Sequence, residues 1–135
     1  MASVNRTLQF PSVLENIHIA EQLIDDVCAE FHVKEDYYGE LLIAMTEAVN
    51  NAIVHGNKMD PSKSVTLHFT VSENNLRFTI EDEGPGFDYD NLPDPTAPMQ
   101  IEQPNGRGVF LMRQLSDYVY YYDNGRKVEI QFTLR

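Results

Sequence analysis

Leu41-Leu-Ile-Ala-Met-Thr-Glu47-Ala-Val-Asn50-Asn51-Ala-Ile-Val-His55-Gly56 reads as the body of a helix that begins near Asp36 and runs to His55. Gly56 stands where helices commonly stop by adopting a left-handed conformation. The polar residues of this stretch occupy unusual places. Glu47 and Asn51 lie four apart, and Asn50 lies three from Glu47, so all three project from one face. A surface helix can carry such residues harmlessly. Here the apolar residues on both sides, Leu41 to Met45 and Ala52 to Val54, leave little surface to assign to water. A partly buried carboxylate beside an amide oxygen suits a metal-bound phosphate and an activated nucleophile. The amide offers a neutral oxygen to a hard cation such as magnesium, and the carboxylate can take a proton from an attacking hydroxyl.

The flanking sequence supplies the rest of the fold. Val4 to Phe10 reads as a short strand, and Ser12 with Glu15 three residues later has the form of a capping box opening a first helix. Val13, Ile17, Ala20, Ile24, Val27 and Phe31 recur at steps of four and three, giving one core-facing stripe that Cys28 adjoins. Beyond the second helix, Val65, Leu67, Phe69 and Val71 alternate with polar residues. Leu76, Phe78 and Ile80 do the same, so the two runs form a hairpin turning at Asn74 and Asn75. A Gly/Pro loop spans Glu81 to Phe87. Residues 88–105 contain Pro93, Pro95, Pro98 and Pro104, which excludes helix or central strand and leaves a long irregular segment of the kind that is either a functional lid or a disordered loop. Gly106 to Leu115 reads as a short helix. Tyr118 to Tyr122 reads as a strand exposed on two faces, joined through Asp123-Asn124-Gly125 to a last strand, Lys127 to Leu134. The predicted architecture is an α/β two-layer sandwich: a mixed, mostly antiparallel sheet with helices on one face, in one domain over residues 1–135.

Ten Lys and Arg against 21 Asp and Glu give a formal charge of −11. Such a chain is repelled by DNA phosphates and anionic lipid, which disfavours nucleic acid and makes a basic protein partner plausible. One cysteine excludes an internal disulfide, the N-terminus lacks the pattern of a secretory signal, and no run approaches the roughly 18 apolar residues of a membrane span. The expectation is a cytoplasmic protein. Any anion it binds must be held by focused local groups or a metal.

Two further stretches could do this. Asp82-Glu83-Gly84-Pro85-Gly86-Phe87 follows a strand directly. A carboxylate at a strand end can accept a hydrogen bond from an exocyclic amine, and glycines let a flat ring approach the backbone, a combination that suits adenine. Gly106-Arg107-Gly108 opens a helix, where free amides and the helix dipole favour an anion. It is not the dinucleotide fingerprint, because Leu111 stands where the third glycine belongs. Arg107 is the first cation after Arg77, so a metal would supply much of the positive charge facing phosphate. No zinc-type spacing links His18, His32, His55 and His68, and no nucleophile elbow is present.

Together the three stretches resemble a known pattern. Glu47 to Gly56 looks like the N box of the GHKL ATPase superfamily (the Bergerat fold), Asp82 to Phe87 like its first glycine box, and Gly106 to Met112 like its second. The short form with Glu-Ala-x-x-Asn-Ala-x-x-His-Gly is similar to the anti-sigma-factor serine kinases of bacterial partner-switching systems. The resemblance implies ATP and magnesium as cofactors. It makes Asn51 the magnesium ligand, Asp82 the partner of the adenine amine, and Gly84 and Gly86 the shapers of the adenine pocket. Gly106, Arg107 and Gly108 would hold phosphate beneath a lid at 88–105. Glu47 matches the catalytic base; sensor histidine kinases carry asparagine there, so glutamate favours transfer to a hydroxyl. The implied protein partners are a sulfate-transporter-like (STAS) anti-sigma-factor antagonist as substrate and a sigma factor as sequestered ligand, with room for a homodimer. The alternative is a nucleotide-gated binding module with little catalysis, or a partner-switching kinase acting on no sigma factor.

Overall fold

The computed structural model describes residues 4–86 and 106–134. The lid expected at 88–105 lies outside the described residues. Strands β1 (Val4–Pro11), β2 (Ser64–Ser72), β3 (Asn75–Glu81), β4 (Tyr118–Tyr122) and β5 (Lys127–Thr133) form one sheet in the order β1-β2-β3-β5-β4. Every neighbouring pair is antiparallel. The sheet is therefore antiparallel throughout, which narrows the expected mixed arrangement. Helices α1 (Ile17–Glu30), α2 (Glu35–Asn51) and α3 (Gly106–Leu115) form the second layer.

The alternation seen in the sequence becomes the core. Leu67, Phe69 and Val71 of β2 lie opposite Ile80, Phe78 and Leu76 of β3, which in turn face Val128, Ile130 and Phe132 of β5. All nine are at most 6% exposed. Because side chains alternate with a period of two, a one-residue slip would turn this whole set to water, so burial fixes the register. Phe31, Phe69, Phe78 and Phe132 run across the layer as a chain of tilted and edge-on rings, with centroids 5.9, 5.0 and 6.4 Å apart. From above, α1 buries Ala20, Leu23, Ile24 and Val27, α2 buries Leu41, Ala44, Met45, Ala48 and Val49, and α3 buries Val109 and Met112.

Four local expectations are corrected. Ser12 caps no helix. A 3-10 turn, Leu14–Asn16, leads into α1 with Val13 at its cap, while Ser12 is fully buried and its hydroxyl donates to the Lys63 carbonyl at 2.7 Å. Gly56 is not left-handed; positive φ falls instead on Lys58 and Met59. The β2–β3 turn is made by Glu73, with φ 54°, and Asn74, since Ser72 already pairs with Asn75. Finally, β4 is not exposed on two faces: Tyr118, Tyr120 and Tyr122 are exposed, but Tyr121 packs against the core.

Candidate functional site

The last turns of α2 carry the first part of the site. Glu47 is half-buried, and burial pushes its carboxyl above the ordinary glutamate value. One turn later, Asn51 presents a side-chain oxygen and nitrogen that are both buried and have no hydrogen-bond partner among the described residues. An orphaned buried polar group costs about 1–3 kcal/mol, so this amide is poised for a ligand. Asn50 is half-buried beside them.

After Asn51 the helix changes type. Ala52–Gly56 forms a π turn, closed by the Asn57 amide donating to the Ala52 carbonyl at 2.9 Å, and Met59 donates back to Ile53 at 2.7 Å. Such single-turn widenings recur at functional sites. The turn half-buries His55, and burial together with the Lys58 charge lowers the pKa of its imidazole. It also carries Gly56 against Asp82. A Cβ at Gly56 would stand 2.4 Å from the Asp82 carboxyl carbon, so this glycine is required by close approach and not by backbone conformation.

Asp82 follows β3 and is held on both sides. Its amide donates to the Arg126 carbonyl at 2.9 Å, and its carboxylate accepts the Gly84 amide at 2.8 Å. Burial raises its pKa to about 6, against the opposing pull of the Gly84 amide and the Arg126 charge. The neighbouring glycines are packed by the protein itself. A Cβ at Gly84 would meet the Gly56 carbonyl at 1.9 Å; Gly86, with φ +84°, lies so close to Asn124 that a Cβ would stand 2.0 Å from its carbonyl oxygen. Asn124 belongs to the β4–β5 turn, where Asp123, Asn124 and Gly125 all take positive φ, a conformation that Asp, Asn and Gly accept most readily. The loop after β3 is thus clasped between the end of α2 and the tip of the last hairpin.

The structure therefore brings Glu47, Asn51 and Asp82 to one end of α2, with Gly56, Gly84 and Gly86 as the contacts that allow it. Gly106, Arg107 and Gly108 form the first turn of α3, the helix that packs on α2. Sequence reasoning missed Asn57. It is 1% exposed and bonded at 2.7 Å to the Glu83 amide, next to Asp82. The available signal was an asparagine immediately after the polar helix.

An open antiparallel sheet lies under three helices, with Asn51, unpartnered among the described residues, on the central one and a carboxylate at a strand end, and the class of domain this belongs to is an ATPase one. The histidine kinase-like ATPase domain model matches residues 10–133, and the chain belongs to that family. Among its relatives, the serine-protein kinase RsbW of Listeria monocytogenes serotype 4a (strain HCC23) is 26% identical over 129 residues, covering 90% of this chain and 82% of the relative. The anti-sigma F factor of Clostridium perfringens (strain ATCC 13124) is 29% identical over 128 residues, covering 90% of each. In fold, the chain is similar to the solved RsbU and RsbW domains of a Mycobacterium tuberculosis protein, with TM-score 0.63 and 14% identity, over 98% of this chain and 32% of that one.

Proposed function

We propose that the chain is an ATP- and magnesium-dependent serine/threonine protein kinase. Its substrate is an anti-sigma-factor antagonist of the STAS class, and in the alternative partner state it sequesters a sigma factor, acting in the cytoplasm as a regulator of transcription. The observation that carries this reading is the pairing of a half-buried Glu47 with the orphaned amide of Asn51 one turn away, in a chain whose relatives are named serine-protein kinase and anti-sigma factor.

The residues fit magnesium: the Asn51 side-chain oxygen is a buried neutral acceptor without a partner among the described residues, the donor type a hard cation takes. When bound, the ion neutralises triphosphate charge. Asn51 would hold it. Asp82 accepts the hydrogen bond of the adenine amine, in a pocket whose walls Gly84 and Gly86 permit. The amides of Gly106 and Gly108, with Arg107, hold phosphate at the start of α3, and residues 88–105 close over it as one unit of a single ATPase domain. Glu47 takes the proton of the attacking serine or threonine hydroxyl, for which its raised pKa is an advantage. Most of the catalysis is positioning and charge neutralisation.

The test combines the protein, ATP, magnesium and the antagonist encoded nearby. Phosphoserine or phosphothreonine on the antagonist is expected, with Glu47→Gln inactive. No phosphorylation, with Glu47→Gln indistinguishable from wild type, overturns the kinase reading. A relative named for anti-sigma activity favours a second reading, a nucleotide-gated binding module. In that case Asn51→Ala and Asp82→Asn abolish partner switching while Glu47→Gln leaves it intact.

A further inference from the structure

Ser12 and Asn57 are the buried polar residues among those described, and they touch each other. The Asn57 side-chain amide donates to the Ser12 hydroxyl at 2.7 Å and to the Ser64 carbonyl at 3.0 Å, and its oxygen accepts the Glu83 amide at 2.7 Å. Both N–H groups and one acceptor site are thus used. The amide can face only one way, because reversing it would set its oxygen against the Ser64 carbonyl and its N–H₂ against the Glu83 N–H. Ser12 is fixed in turn by donating to the Lys63 carbonyl at 2.7 Å. The Glu83 carboxylate accepts the Ser64 amide, closing the circuit.

The Glu83 N–H belongs to the peptide that carries the Asp82 carbonyl. Asn57 therefore fixes the plane on the far side of Asp82, while the bond from the Asp82 amide to Arg126 fixes the near side. Between two pinned peptides, and with Gly56 packed against its carboxyl, Asp82 has its direction set before any ligand arrives.

We propose that Asn57 is a positioning residue for base recognition: through the Glu83 amide it aims the Asp82 carboxylate so that the site accepts an adenine amine and rejects a guanine carbonyl. This rests on the nucleotide reading of the site. The chemistry of discrimination is simple, since a fixed carboxylate bonds an exocyclic amine and repels the oxygen that guanine carries in its place. A carboxylate free to swing away loses both effects.

The experiment measures affinity for fluorescent ATP and GTP analogues with magnesium, alongside thermal unfolding, for wild type, Asn57→Ala, Asn57→Asp and Ser12→Ala. Asn57→Ala is expected to weaken ATP binding about tenfold or more, the scale of one hydrogen bond to a charged group, and to carry the ATP-to-GTP ratio toward unity. Asn57→Asp keeps the acceptor for Glu83 and is expected to retain the ratio at lower Tm. Ser12→Ala loses stability with the ratio intact. If Asn57→Ala retains the wild-type ratio, or all three variants lose affinity only in step with Tm, Asn57 is merely structural and the assignment is overturned. Should Asn57→Ala not fold, loss of the ratio in Asn57→Asp overturns it equally. A folded wild type that binds neither nucleotide overturns the nucleotide reading itself, and this inference with it.

Discussion

Among the described residues Glu47 feels burial and no charge partner, so its proton affinity follows how much water reaches it. In the proposed role of base for a hydroxyl transfer it must be ionised, and the acid limb of the rate-against-pH profile is then expected above the ordinary glutamate range. Glu47→Gln should lower kcat by about 10²–10⁴-fold, the usual worth of a positioned base, with nucleotide affinity unchanged; single-turnover phosphorylation and ATP titration check the two halves. Asp82 is shifted in the same direction, again chiefly by burial. Its pKa, raised from 3.8 to about 6, means that the folded state holds the proton more tightly than the unfolded chain. Stability from this group is complete below pH 3.8 and is lost as pH rises through about 6. Asp82→Asn should therefore raise the Tm of the nucleotide-free protein, by a margin that widens between pH 5 and 7, while removing ATP binding. Calorimetry across that range reads the sign. Glu47, Asn51 and Asp82 were legible in the sequence because helical spacing and a strand end place them without reference to distant chain. Asn57 was not, since its partners lie 45, 7 and 26 residues away.

At the scale of elements, the π turn converts a helix end into a contact. Alanine is worth about 1 kcal/mol more than glycine within a helix, and Gly56 has no positive φ to forbid it. Gly56→Ala nonetheless places a methyl on the Asp82 carboxyl, so the expected outcome is a folded protein with weakened ATP affinity. Gly84→Ala meets backbone, the Gly56 carbonyl, which cannot turn aside. Overpacking of that kind costs about 1–3 kcal/mol, so Gly84→Ala should lose more stability in chemical denaturation than Gly56→Ala. The strands were legible because alternation is a property of neighbours in sequence, and α3 was marked by the glycines that open it. Ser12 and Gly56 misled for one reason. Each carries a good local signal for a helix end, and each is used for a tertiary contact that outweighs it: the Lys63 carbonyl in one case, the Asp82 carboxyl in the other.

Over the whole molecule, a charge of −11 works against a triphosphate and in favour of a basic partner. Nucleotide affinity should become negligible when magnesium is chelated, a result that equilibrium dialysis with and without EDTA decides. Association with a basic partner should slow as salt rises, because the field is screened within about 10 Å at 0.1 M ionic strength; stopped-flow rates at several salt concentrations test this. No helix among the described residues is long and apolar enough to cross a membrane. The clasp around Asp82 has a consequence for how the protein is made. The loop after β3 leans on Asn124 and bonds Arg126, residues that leave the ribosome some forty positions after it. A growing chain can lay down α1, α2 and the first hairpin early, yet its ligand pocket waits for the closing hairpin. If nucleotide binds there as proposed, it is expected to stabilise the finished protein and not the nascent one.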